Sequence, residues 1–164
     1  MARDRTHRYR SNVAIVLATR EAQVLLARRS GAVNAWQFPQ GGVSDGESPE
    51  QAVYRELLEE VGIGRHLVRP IASTRRWRKY RIPAALSQRP DLKDFIGQQQ
   101  KWYLLEFLGG DADIRLDREA SPEFDAWQWV SYWYPVRAIV SFKRQVYAGA
   151  MKELAPHLAK IAQC

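Results

Sequence analysis

The chain has 164 residues, 46% of them hydrophobic and 26% charged, enough to bury one core and too few for two ordinary domains. Lys and Arg exceed Asp and Glu by 25 − 18 = +7, a balance that favours polyanionic partners such as nucleic acids or phosphorylated metabolites. No apolar run reaches the roughly 20 residues of a membrane-spanning helix, Met1-Ala2-Arg3-Asp4-Arg5 leads into no signal-peptide core, and the lone cysteine, Cys164, excludes an internal disulfide framework and a paired-cysteine zinc knuckle. The expectation is one domain over residues 1–164, cytoplasmic and away from membranes.

Val13 to Leu17 and Gln23 to Ala27 are short, β-branched apolar runs that read as a strand pair. Ala35 to Phe38 reads as a further strand, broken by Pro39-Gln40-Gly41-Gly42. A helix is predicted from Ser48-Pro49-Glu50-Gln51, where an N-cap Ser, a first-turn Pro and a capping-box Gln coincide, to about Val61, with Gly62 as its stop. Strands follow near Ile71 to Thr74, Trp102 to Phe107 and Trp127 to Val130. Lys79 to Gly97, with Pro83 and Pro90, reads as a long surface loop, and Val136 to Ala155 as a helix that Pro156 interrupts or ends. The fold class expected is α+β.

Charge is distributed unevenly. Gly41 to Ile63 holds six acids (Asp45, Glu47, Glu50, Glu56, Glu59, Glu60) against Arg55 alone. Gly64 to Pro90 holds eight cations (Arg65, Arg69, Arg75, Arg76, Arg78, Lys79, Arg81, Arg89) and no acid. On a helix, with Glu56 at zero, Glu60 falls at about 40° and Glu59 at about −60°, while Tyr54, Leu57, Leu58 and Val61 occupy roughly 100° to 200°. Three carboxylates thus share one face. An ordinary solvated face has the same pattern, but like charges at these spacings repel and few cations stand near them, a penalty a bound Mg²⁺ or Mn²⁺ would remove.

Gly41, five residues, Glu47, seven residues, then Arg55-Glu56-Leu57-Leu58-Glu59-Glu60-Val61-Gly62-Ile63 resembles the Nudix box at every defined position, across residues 41–63. The resemblance implies a Nudix α/β/α sandwich around a mixed β-sheet, a loop-helix-loop metal site, and metal-dependent hydrolysis of phosphoanhydride bonds in nucleoside diphosphate derivatives. Further words, among them Trp36-Gln37-Phe38-Pro39-Gln40-Gly41-Gly42, Ile96-Gly97-Gln98, Pro122-Glu123-Phe124-Asp125 and Val140-Ser141-Phe142-Lys143-Arg144, are similar to the bacterial RNA 5′-pyrophosphohydrolases, also described as dinucleoside polyphosphate hydrolases.

That resemblance implies that Glu56 and Glu60 hold metal. Glu59 would ligate a further ion or handle the attacking water, and the carbonyl of Gln40 or Gly41 would complete the site. Glu123, on its own an exposed loop acid, would reach over to the metals, and Glu47 and Arg55 would brace the loop and helix. Which glutamate takes the proton stays open. Arg10, Arg29 and Lys143 would contact phosphate or RNA, Phe142 would stack on a base, and Gln98 and Lys101 would line the pocket. The plain structural alternatives are a core role for Phe142 and solvated surface for the arginines. Ala35 stands where a small polar residue is usual, which removes one side-chain contact to RNA.

The implied reaction removes pyrophosphate or phosphate from tri- or diphosphorylated RNA to leave a 5′-monophosphate and trigger mRNA decay. The alternatives are hydrolysis of dinucleoside polyphosphates and a non-catalytic RNA- or nucleotide-binding module of the same fold. Trp127, Trp129, Trp133 and Tyr134 read as core rather than as a nucleic-acid platform, and His7, His66 and His157 are too scattered for a site.

Overall fold

The first predicted strand is the spine of the molecule, which the computed structural model describes over residues 9–86 and 95–162. Strand β1 (Tyr9–Ala18) is buried at every residue from Asn12 to Ala18, as expected of a strand covered on both faces. Its alternating side chains enter two separate cores. Val13, Ile15 and Leu17 pack with Ala52, Val53, Leu57 and Val61 of helix α1 (Pro49–Val61). Ala14, Val16 and Ala18 pack with Trp102, Leu104, Tyr147, Met151 and Leu154, beneath the C-terminal helices.

Strand β7 (Gly97–Phe107) runs parallel to β1 from Tyr9↔Gly97 to Ala18↔Glu106. Beyond it β5 (Val68–Ser73) and β6 (Arg78–Arg81) pair antiparallel with β7. On the other edge of β1, β4 (Gln40–Gly42) pairs with Asn12 to Ala14, and β2 (Gln23–Arg29) pairs in register at Ala18↔Val24. The predicted pairing of the first two runs is therefore made at that register pair; the main partner of β2 is β8 (Phe124–Ser131), with β3 (Trp36–Gln37) on its second edge. The sheet is mixed, and helices cover both faces.

Two expectations are corrected. Lys79 to Gly97 is not one loop: Arg78–Arg81 forms β6 and Gly97 opens β7, both held by backbone pairing that needs no apolar pattern. The C-terminal run is not one helix from Val136. It is split into α2 (Tyr134–Ala138), α3 (Arg144–Leu154) and α4 (Ala159–Ala162), because Ile139 and Val140 are extended (ψ 149 and 140) before a single tight turn at Ser141–Lys143. No helix among the described residues is long and apolar enough to cross a membrane. Met1 to Arg5, His7, Arg89, Pro90 and Cys164 lie outside the described residues.

Candidate active site

Helix α1 is capped as its sequence requires. Gln51 N donates to Ser48 Oγ at 3.1 Å, Ser48 N donates to Gln51 Oε1 at 2.9 Å, and Gly62 ends the helix in the left-handed region at φ +71°. Arg55 then ties the helix to the turn before it. Its Nε and Nη2 donate to the two oxygens of Glu47 at 2.7 and 2.9 Å, and Nη2 also donates to the carbonyl of Gly42 at 2.8 Å. Nη1 reaches Glu56 at 2.7 Å and Glu59 at 3.2 Å. The carboxylate face is therefore not short of cations: one guanidinium, counted in the sequence as a lone base, serves three glutamates.

Glu56 is only 7% exposed, whereas the Glu59 side chain is 46% exposed, so the carboxylate face is solvated on one side and buried on the other. Burial pushes the Glu56 carboxyl up, against the opposing effects of Glu60 and Arg55. Glu60 is pushed up further, first by burial, then by the charge and hydrogen bond of Glu56, then by Glu123, with the main-chain amide of Gln40 opposing. One Glu60 oxygen, Oε2, is buried without a hydrogen-bond partner. Gly41 fits against this pair because it lacks a side chain; a Cβ there would overlap the Glu56 carboxyl. Buried oxygens that are pressed together and incompletely partnered form a donor set suited to a hard divalent cation. Among the described residues no three His, Cys, Asp or Glu side chains already stand as a cage, since Glu59 turns to Arg55 and Glu123 is exposed at the rim.

Arg10, Arg29, Gly41, Glu56, Glu60, Gln98 and Glu123 all line one cleft of about 210 Å³. The β1–β7 register sets Arg10 beside Gln98, and the Arg10 guanidinium lies against Gly42, where a Cβ would strike it. From Gln98 the wall continues through Tyr80, whose hydroxyl donates to Gln98 Oε1 at 2.9 Å. The Phe142 ring stands 6.0 Å from that of Tyr80, and Lys143 Nζ lies 5.7 Å from the Tyr80 centroid. Phe142 is half-buried and packs against the core beneath the C-terminal helices, the structural role the sequence also allows. Lys101 is not brought to this cleft. One position out of phase with Gln98 and Gln100, it lies 3.9 Å from Glu50 and over the Tyr103 ring.

Sequence reasoning missed Tyr80, hidden among cations, and a buried amide cluster behind the glycines. Gln100, fully buried, donates to Asn12 Oδ1 and Gln40 Oε1, both at 2.9 Å, and fastens β4 to the spine. It also missed Glu119, which joins Glu56, Glu59, Glu60 and Glu123 around an adjoining cavity of about 570 Å³. Trp127 and Trp129 pack on the core as expected, whereas Trp133 and Tyr134 are 48% and 43% exposed. Ala35 contributes its carbonyl, which accepts from Arg29 N at 3.0 Å.

With this arrangement in place, a family model described as the NUDIX domain matches residues 8–152. The chain belongs to the Nudix family. Curated relatives include the RNA pyrophosphohydrolase of Klebsiella pneumoniae strain 342, 54% identical over 155 residues, covering 94% of this chain and 88% of the relative. That of Escherichia coli O139:H28 is 56% identical over 147 residues, covering 90% and 83%. In solved structures the Nudix fold recurs in the E. coli dihydroneopterin triphosphate pyrophosphohydrolase, with TM-score 0.68 and 21% identity over 88% of this chain and 98% of that one. A Caenorhabditis elegans Ap4A hydrolase shares the fold with TM-score 0.64 and 20% identity over 91% and 98%. The family and fold read from the sequence are thus borne out: this is a Nudix hydrolase.

Proposed function

We propose that this Nudix hydrolase, a single domain over residues 1–164, is a cytoplasmic RNA pyrophosphohydrolase that converts a 5′-tri- or diphosphate on RNA to a 5′-monophosphate. The observation that carries the reading is the cleft itself, which brings the Glu56 and Glu60 carboxylates together with Arg10, Arg29 and Gln98, the last held by Tyr80, against which Phe142 and Lys143 stand. That combination of chemistries matches a polyphosphate followed by bases. The high identity to relatives named RNA pyrophosphohydrolase, over most of both chains, supports it.

Glu56 and Glu60 would hold Mg²⁺ or Mn²⁺ with the Gly41 carbonyl, and Glu123 would join from the rim. Such ions supply neutralisation of the polyphosphate and activation of water at neutral pH. Glu59, whose side chain is 46% exposed and bound by one 3.2 Å contact, is the most easily released of the three helix glutamates, toward a second ion or the attacking water. Arg10, Arg29 and Lys143 bind the phosphates, and Gln98, steered by Tyr80, and Phe142 bind the nucleotide. Glu47 and Arg55 keep the helix and its preceding turn in register. Water adds to phosphorus as the anhydride P–O bond breaks, and pyrophosphate leaves a triphosphate or phosphate leaves a diphosphate.

Product analysis on 5′-triphosphorylated RNA, 5′-diphosphorylated RNA and diadenosine pentaphosphate with Mg²⁺ tests this. Monophosphorylated RNA from the wild type, with Glu56→Gln nearly inert, is the expected result. Cleavage of the dinucleotide alone would establish the dinucleoside polyphosphate activity instead, and metal-independent RNA binding without turnover would establish a binding module.

A further inference from the structure

The fold divides the basic stretch after the Nudix box into two groups. Arg65 lies over the Tyr54 ring, 4.3 Å from its centroid, Arg69 pairs with buried Glu106 at 2.7 Å, and Arg78 pairs with Glu153 at 2.9 Å. Their charge is spent within the protein. Arg75 and Arg76, in the connection from β5 to β6, and Lys79 and Arg81 on β6 are exposed, and among the described residues none has a carboxylate partner. Glu153, the acid beside them, is already taken by Arg78 and by Arg75 N, which donates to it at 2.8 Å.

Arg75, Arg76 and Trp77 line an open groove of about 590 Å³ whose far side is Gln145 and Val146, at the start of α3. Two stretches of chain link this groove to the cleft. Gln145 follows Phe142 and Lys143 in sequence, and Tyr80, which donates to Gln98 of the cleft and stands 6.0 Å from Phe142 ring to ring, lies on β6 with Arg78 and Lys79 of the groove.

We propose that this groove is an RNA-docking surface: Arg75 and Arg76 hold backbone phosphates of nucleotides downstream of those in the cleft, beside the Trp77 ring. The proposal rests on the RNA reading of the active site. Guanidinium groups beside an indole suit single-stranded nucleic acid, whose phosphates and bases they engage together, better than the acidic face of a protein.

The test compares wild type with the R75Q/R76Q variant, whose altered side chains are exposed and outside the cleft, on 5′-triphosphorylated RNAs of 3 and about 20 nucleotides and on diadenosine pentaphosphate, across a salt series. For the long RNA the variant loses about tenfold in kcat/KM, and its log–log salt slope falls by about 1.4, near 0.7 per lost phosphate contact. The short RNA and the dinucleotide keep their wild-type values. Equal losses on short and long RNA, or no loss on either, would overturn the proposal, the latter leaving the groove to an acidic protein surface. Should wild type cleave no RNA at all, the active-site reading falls by itself. The groove is then judged by fluorescence anisotropy with a 5′-hydroxyl single-stranded 20-mer: tenfold weaker binding by the variant sustains it, and equal binding ends it.

Discussion

Helix α1 and the C-terminal helical run cover opposite faces of one sheet and are built on opposite plans. The first is a single 13-residue helix, closed by a capping box at one end and a left-handed glycine at the other. The second is three pieces of 5, 11 and 4 residues, parted at Ile139-Val140 and around Pro156. The uninterrupted helix holds mutually repelling carboxylates at fixed spacing, which only a rigid element can do. The break in the other lets the chain turn, so that Phe142 and Lys143 reach across to Tyr80, which holds Gln98 of the cleft. Rigidity is placed where charge is concentrated, and segmentation where a side chain must reach.

Substitutions on the two sides should separate these roles. Glu60→Gln is the most severe: kcat on triphosphorylated RNA falls on the order of 10³-fold, as when a principal electrostatic group at the reacting phosphate is lost. The same variant should be the more stable protein without metal. Burial and neighbouring carboxylates raise Glu60 above its ordinary 4.5, so the folded state binds a proton that the unfolded state releases. Its favourable contribution is full at acid pH and is lost progressively as pH rises above 4.5. In EDTA at pH 8 the variant melts higher than wild type, and Mg²⁺ reverses the order; a lower melting temperature in EDTA would contradict the burial argument.

Gly41→Ala drives a methyl group into the Glu56 carboxyl and should cost about 10²-fold in kcat, with little change in unfolding, since misplacement by an ångström has that effect. Gly62→Ala attacks the frame and not the site. The position has φ +71° and a Cβ would approach the Arg115 carbonyl to 2.7 Å, so about 2 kcal/mol of stability is lost. At this chain length that is a drop of roughly 4–8 °C in Tm. On the segmented side, Phe142→Ala should raise KM for RNA about tenfold and leave kcat and metal dependence intact, the signature of a lost stacking platform. A fall in kcat instead would mean that the two sides are not separable. Mildest is Ser48→Ala, about 1 kcal/mol by denaturant melts, from removal of the N-cap acceptor.

How far the fold could be read without coordinates follows the same division. Helix α1 was legible residue for residue, because its start and stop are local chemistry: Ser48, Pro49, Gln51 and Gly62. The C-terminal break was not, because Ile139 and Val140 are apolar residues that continue a helical pattern while their backbones are extended. Strand β6 escaped notice because Tyr80 is its only buried residue, and one apolar side chain makes no periodicity. Gly41, Glu56 and Glu60 follow from the spacing of the box, whereas Arg10, Arg29, Gln98 and Glu123 rest on the wider resemblance; one cleft holds all of them, and Glu59 lines the adjoining cavity. Lys101 is placed with them by the resemblance alone. Once β7 extends back to Gly97, alternation sends Gln98 and Lys101 to opposite faces. Arg55 was recognised as a brace, but helical-wheel geometry treats a side chain as a direction and misses how far a guanidinium reaches.

The parallel ladder between β1 and β7 bears on how the protein acquires activity. Gln100 and Asn12, joined across it, are 88 positions apart in the chain, and Arg10 meets Gln98 in the same ladder at the same separation. Closing a loop of that length carries more entropic cost than any hairpin in the molecule and slows folding in proportion to the non-local contacts it requires. Until it closes, a chain that holds α1 with all its glutamates still has only half a cleft. Hydrolysis should accordingly return in a refolding experiment with the slowest phase, after helical signal is complete.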